Sequence, residues 1–237
     1  MSIKLVVFDI AGTTVKDNNN VSEAFQLALA KHEISIELEE INPLMGYEKK
    51  LAISVILKHH SGLNLSEITS DFIELIYSDF VSLMITYYRD ENDIAALPHV
   101  EETFLELRKR GVKVAINTGF PYIIAETIIN RLQWREKRLI DYLIGSDQVE
   151  FGRPHPFMIQ HIMKELDVRN PDEVVKVGDT EVDIREGQEA KCKYVIGVTT
   201  GTFSRIELEK YNPTHIIDNI SEILSILADE NTVVKSL

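Results

Sequence analysis

The run VVFDIAGTTV at residues 6–15 brings a series of apolar, β-branched positions to one carboxylate, Asp9, then turns through Gly12 into Thr13 and Thr14. A strand that ends on an acid beside a Gly-Thr turn offers that acid to a ligand. Three further stretches end in the same way: INTGF with Thr118 and Gly119, GRPHP with Arg153, and VGDTEVD with Asp179 and Asp183. Asp9 and Asp179 can together hold a hard divalent cation such as Mg2+ through oxygen ligands. Such a cation offsets the repulsion between the carboxylates and the oxyanions of a phosphoryl or phosphonyl group. Thr118 offers those oxyanions a hydroxyl and neighbouring backbone N–H groups, and Arg153 offers a planar, permanently charged donor. Asp9 can then attack phosphorus and form an acyl phosphate. Two residues after Asp9, where a second carboxylate would complete an acid–base pair, the chain has Ala11.

Each residue also has a plainer reading. A strand-terminal Asp is often a cap or turn former, Thr118 can be a turn residue, and Arg153 can be a loop charge. The ordered set is much harder to obtain by accident.

These residues need a scaffold that brings distant strand ends together. Short apolar, β-branched runs recur at 4–10, 112–118, 141–146, 174–180, 193–200 and 214–219, several ending in Asp, Asn, Ser or Thr. Their near-continuous apolar character predicts strands buried on both faces of a parallel sheet. Helix-like spacing fills 100–111, 121–132, 154–166 and 184–191, with Gly111 as a C-terminal stop. Alternation of this kind predicts a doubly wound α/β domain, whose ligands bind outside the carboxyl ends of the strands. Residues 17–94 differ, with helical spacing at 22–33, 49–60 and 66–88, and Ser22 and Ser66 placed as N-caps. They predict a small helical domain at 17–94 inserted after the first strand, in a core formed by 1–16 and 95–237. The polar stretches 17–20 and 89–98 predict hinges.

The 237 residues suffice for one large domain with an insert. A net charge of −13 argues against non-specific binding to nucleic acid or to an anionic membrane. Cys192 is the sole cysteine, so no internal disulfide forms, and its surroundings near the sheet predict a small apolar role. No apolar stretch approaches the ~18 residues of a membrane span, and the start lacks a signal peptide's apolar core. The expectation is a cytoplasmic protein with a small-molecule substrate.

FDIAGTT, INTGF, GRPHP and VGDTEVD resemble, in order, the four motifs of the haloacid dehalogenase superfamily, and the resemblance spans essentially the whole chain. It implies a Rossmann-like core with a helical cap. The alanine of the first motif and the arginine of the third resemble phosphonoacetaldehyde hydrolase (phosphonatase) and its close relatives. By motif position the resemblance implies Asp9 as nucleophile, and Mg2+ held by Asp9, the Ala11 carbonyl and Asp179 with support from Asp183. Gly12, Thr13, Met45, Thr118, Gly119 and Arg153 are then implied as substrate contacts. A homodimer through the cap is the oligomer implied.

In the usual first motif of the superfamily the second aspartate protonates the leaving alkoxide and later activates water, a service worth on the order of 10²–10⁴ in rate. Ala11 should handicap phosphoester hydrolysis by about that factor. Cleavage of a C–P bond makes no alkoxide but needs an electron sink, which an amine condensed with a β-carbonyl supplies. PLMGYEKKLAIS at 43–54 resembles the phosphonatase stretch in which Met-Gly is followed by the Schiff-base lysine, which selects Lys49 rather than Lys50. Such a lysine should be partly desolvated with a lowered pKa, in surroundings that Met45 and Tyr47 could provide. The bland reading is a solvated Lys49–Lys50 pair opening a helix. Phosphonatases carry a histidine three residues after the lysine, where this chain has Ala52; His59 and His60 lie two turns further on.

The sequence therefore predicts a Mg2+-dependent hydrolase of a 2-oxoalkylphosphonate, such as phosphonoacetaldehyde. One alternative is a phosphatase of the phosphoglycolate phosphatase type acting on a small phosphorylated metabolite; a substrate with a good leaving group, an acyl phosphate or pyrophosphate, would miss the acid least. Another is a non-catalytic phosphate-binding protein on the same scaffold.

Overall fold

The structure, a computed structural model, describes residues 2–59, 66, 68–91 and 94–233. Six strands run parallel in one sheet: β1 Leu5–Phe8, β2 Lys113–Thr118, β3 Tyr142–Gly145, β4 Val174–Gly178, β5 Tyr194–Val198 and β6 His215–Ile217. Their order is β3-β2-β1-β4-β5-β6, so the winding reverses between β1 and β4. A crevice opens there at the carboxyl ends of the strands. Phe8 is level with Ile116 on one side and with Val177 on the other, which sets the ends of β1, β2 and β4 side by side.

Burial on both faces explains the apolar runs. On β1, Val6 and Phe8 enter the larger core while Leu5 and Val7 enter a second core on the opposite face. The larger core includes Val100, Phe104 and Leu107 of α5 Val100–Lys109 and Ile124, Ala125, Ile128 and Ile129 of α6 Tyr122–Arg131. The second is closed by Met158, Ile159, Ile162 and Met163 of α7 Phe157–Glu165. Gly111, with φ +76°, ends α5, and Val112 N–H bonds back to Leu107 O at 3.0 Å. The α/β domain is completed by α8 Glu181–Glu189, a short α9 Arg205–Glu209 and α10 Ile223–Val233.

Between β1 and α5 lie α1 Asn20–Ala30, a short α2 Leu38–Ile41, α3 Lys49–His59 and α4 Ser70–Asp90. The starts of two helices differ from expectation. Ser22 is inside α1, where it is buried and its hydroxyl donates to Asn42 Oδ1 at 2.8 Å. Asp17 holds the start instead, its Oδ1 accepting from Asn20 N–H at 2.8 Å. In α4 the cap is Thr69, which accepts from Phe72 N–H at 3.1 Å, and not Ser66. Because α4 runs to Asp90, the second connection begins only at Glu91. The two connections pair with each other: Leu97 N–H bonds Thr14 O at 2.9 Å and Lys16 N–H bonds Ala95 O at 3.2 Å. Among the described residues no helix is long and apolar enough to cross a membrane.

Candidate active site

The pleat of the sheet builds the floor of the site. Alternate residues of β1, β2 and β4 face α7, and continuing that alternation puts Asp9, Asn117 and Lys176 on one face. From the next turn of chain, α8 sends down Asp183 and Glu186, both fully buried. Arg153 arrives from the loop after β3 and lies at the centre. Its Nη1 meets Asp9 Oδ1 at 2.7 Å and Asp183 Oδ1 at 2.9 Å. Nη2 donates to Asn117 O and to Asn117 Oδ1, each at 2.7 Å, and Nε stands 3.1 Å from Glu186 Oε2. Lys176 Nζ donates to Asn117 Oδ1 at 2.6 Å and reaches Asp183 Oδ1 at 3.0 Å. Asn117 returns its amide to Glu186 Oε1 at 2.7 Å.

The network sets the carboxylates apart electrostatically. Burial works against the charge on Asp183, but Arg153 and Lys176 hold its pKa below the usual value. Thr180 adds a hydroxyl bond at 2.6 Å to its other oxygen. Burial pushes Asp9 up against the pull of Arg153. Asp179 is pushed up furthest, by burial and by the charges of Asp183 and Asp9. Among the described residues its donors are neutral, Thr13 Oγ1 at 2.8 Å and Thr202 N–H at 2.8 Å.

This is the donor set a hard cation requires. Oxygens of Asp9, Asp179 and Asp183 all lie within 4.8 Å of one another. Four buried carboxylates, Asp9, Asp179, Asp183 and Glu186, share two buried cations on the floor, Arg153 and Lys176, leaving a formal surplus of two negative charges. One divalent ion would neutralise that surplus, and oxygen-only ligands suit Mg2+. Gly12, with φ +80°, makes the approach of Asp179 feasible, since a Cβ there would stand 2.7 Å from its Oδ2.

Above this floor a small cavity is closed by the helical segment. Asp9, Ala11, Thr118, Gly119, Phe120, Asp179, Thr180 and Thr202 line it from below, and Asp17, Val21, Met45, Gly46 and Lys49 from above. Contact across it is intimate: a Cβ on Gly119 would fall 2.3 Å from Gly46 O and 2.5 Å from Tyr47 O. Phe25 and Phe80 stack at 4.3 Å, and Phe80 and Tyr88 in turn meet Phe120 at 6.5 and 6.1 Å. Lys49, 3% exposed, holds its ammonium 5.0 Å from the centre of the Phe120 ring and 5.6 Å from that of Phe25. Burial lowers its pKa to about 8, although Asp9 pulls the other way. Lys50 is the solvated member of the pair, bonded to Glu74.

Of the residues singled out in the sequence, Asp9, Ala11, Met45, Lys49, Thr118, Gly119 and Asp179 meet around one cavity. Two turn out to be used differently from expectation. Arg153 spends its donors on Asp9, Asn117 and the buried acids, so it grips Asp9 rather than reaching into the cavity for substrate oxygens. Thr13 donates to Asp179 and thereby orients its carboxylate. The apolar wall beside Lys49 comes from Phe25 and Phe120, with Met45, more than from Tyr47. Asp183 has both oxygens in contact with protein groups, the Thr180 hydroxyl on one and the Arg153 and Lys176 cations on the other. His59 is exposed and bonds Val55 O at 2.8 Å, and His60 lies outside the described residues. Sequence reasoning missed Asn117, Lys176, Glu186 and Asp17. A lysine in the middle of VVKVG was the one visible signal, because a charge in a strand buried on both faces must have buried partners.

Fold and site together define a doubly wound α/β protein with a strand-end aspartate and a cluster of carboxylates suited to a cation. The chain belongs to the haloacid dehalogenase-like hydrolase family, whose model matches residues 3–191. It is 29% identical to pyrophosphatase PpaX of Bacillus mycoides over 98% of this chain and 100% of that one. Among solved structures it resembles a phosphonoacetaldehyde hydrolase like protein from Oleispira antarctica, with TM-score 0.83, 21% identity and coverage of 98% and 94%. It also resembles a proposed phosphoglycolate phosphatase from Lactobacillus delbrueckii subsp. bulgaricus, with TM-score 0.78, 21% identity and coverage of 96% and 99%.

Proposed function

We propose that this protein is a Mg2+-dependent phosphohydrolase that works through an aspartyl-phosphate on Asp9 and prefers a phosphoanhydride or acyl phosphate to an alkyl phosphate. One observation carries this reading: the cavity that holds Asp9 has Ala11 where a leaving-group acid would stand, and a buried ammonium, Lys49, above it. Similarity to a pyrophosphatase over the full chain supports the same substrate class. Arg153 occupies Asp9 Oδ1, which leaves Oδ2 to attack phosphorus. Bound by Asp9, Asp179 and the Ala11 carbonyl, with Asp183 in support, Mg2+ would neutralise the oxyanions of the transferring group. Thr118 and the Gly119 N–H group face those oxyanions. Lys49 stabilises the departing anion as a charge in a dry site. A phosphate or carboxylate departs readily under those conditions, whereas an alkoxide needs a proton.

The test is phosphate release from pyrophosphate, acetyl phosphate and phosphoglycolate with Mg2+. The first two are expected to exceed phosphoglycolate by about 10²–10⁴ in kcat/KM. Equal turnover of all three would overturn the leaving-group argument.

The lowered pKa of Lys49 favours a second reading, cleavage of a 2-oxoalkylphosphonate through a Lys49 imine. Phosphonoacetaldehyde with borohydride would then leave a reduced adduct on Lys49, and Lys49→Arg would abolish the reaction. An unchanged intact mass would exclude it.

A further inference from the structure

Without a second aspartate in the first motif, something else must deprotonate the water that hydrolyses the phosphorylated Asp9. Lys49 is unsuited, since its pKa of about 8 keeps it an ammonium near neutral pH. Asp17 lines the same cavity as Asp9, Ala11 and Lys49, and it is the one carboxylate there contributed from above, by the chain leading into α1. Its Oδ1 is committed to the start of α1, accepting from Asn20 N–H at 2.8 Å and Val21 N–H at 3.4 Å. No protein donor among the described residues bonds Oδ2.

We propose that Asp17 is the general base of the second half-reaction, replacing from the helical segment the acid–base group that Ala11 lacks. The inference rests on the phosphohydrolase reading and assigns that reaction's missing residue. The water oxygen forms a bond to phosphorus as its proton passes to Asp17 Oδ2. The bond between phosphorus and Asp9 Oδ2 breaks, and its electron pair returns to the Asp9 carboxylate. Inorganic phosphate leaves, and Asp17 gives the proton up to solvent.

Burial raises the pKa of Asp17, against its two backbone N–H bonds and the pull of Lys49, and with a small further rise from Glu23. Asp17 is thus a stronger base than an exposed aspartate. Burial pushes the phenol of Tyr88 of α4 well up, and the charges of Asp17, Tyr87 and Asp9 add to the rise. Division of labour follows: Lys49 serves the leaving anion of the first step and Asp17 the water of the second.

Asp17→Asn keeps the oxygen that caps α1 and removes the base. Asp17→Ser, which also caps, provides a second variant should the first fold poorly. With Mg2+ and pyrophosphate, rapid quench of either variant is expected to show one equivalent of phosphate released at the wild-type rate, followed by a steady state about 10²–10⁴ slower. Intact mass should show one phosphoryl group retained on Asp9, and hydroxylamine, a nucleophile that needs no base, should discharge it. Wild-type turnover with equally fast Asp17→Asn and Asp17→Ser variants and no trapped phosphoryl group would reduce Asp17 to a helix cap and overturn the inference alone. Wild type that releases no phosphate from pyrophosphate or acetyl phosphate would overturn the phosphohydrolase reading, and the inference with it.

Discussion

The floor and the roof of the cavity are built on opposite principles. On the floor the two cations each have several partners: Arg153 touches four residues, and Lys176 joins three of them. On the roof, Lys49 has aromatic faces and no ion pair or hydrogen bond among the described residues, and Asp17 has one oxygen engaged. A network built on two multiply contacted cations holds Asp9 and Asp183 in place before substrate arrives, which is what electrostatic preorganisation requires. Under-partnered groups on the roof keep their hydrogen-bonding capacity for what enters. On the proposed reading the floor serves phosphoryl transfer in general, and the roof chooses the leaving group.

The comparison breaks most visibly at the nucleophile. Asp9→Asn should lower turnover by roughly 10⁴–10⁶, the range found for removal of a catalytic nucleophile, and leave no phosphoryl group on the protein by intact mass. The rest of the floor should respond in stability. Lys176→Ala leaves Asp183 and Glu186 short of a buried cation and should cost about 3–5 kcal/mol in denaturant unfolding.

The roof should respond with the opposite sign. Lys49 is buried as a cation, and its pKa falls from the ordinary 10.5 to about 8. Between those values the unfolded chain holds a proton that the folded one has lost, so wild-type stability rises with pH across that window. Lys49→Met should therefore stabilise the protein by about 3 kcal/mol below pH 8, an advantage that fades as the pH approaches 10.5. The same variant should lose activity, and the wild-type rate should fall on the alkaline side near pH 8 as the ammonium is lost. A smaller effect is expected where floor meets roof. Gly119→Ala puts a Cβ 2.3 Å from Gly46 O and should cost up to about 10²-fold in kcat/KM by displacing the roof.

The two regions were not equally legible in the sequence. All six strands announced themselves, because burial on both faces demands apolar runs, and strand ends bearing Asp or Thr marked the crevice. The floor network was not legible, since Asn117, Lys176 and Glu186 meet only through strand register and the reach of α8. The direction of Arg153 was equally hidden, because a guanidinium serves a substrate oxyanion or a carboxylate alike. On the roof, the resemblance of the stretch after Met-Gly to phosphonatases singled out Lys49, but its aromatic wall comes from Phe25 and Phe120, remote in sequence. Helix starts misled wherever a serine looked like a cap: Ser22 is turned inward to Asn42, and Asp17 caps from three residues before Asn20. The short helices α2 and α9 span four and five residues, too few to show a period.

The central claim is that Ala11 makes the leaving group decide the substrate. The direct measurement is kcat/KM for pyrophosphate and for phosphoglycolate in the wild type and in Ala11→Asp, under the same Mg2+ concentration. A restored acid should raise phosphoglycolate hydrolysis by about 10²–10⁴ and leave pyrophosphate within a few-fold, closing the gap between the two. A wild type that already hydrolyses phosphoglycolate as fast as pyrophosphate, with no gain in Ala11→Asp, would contradict it.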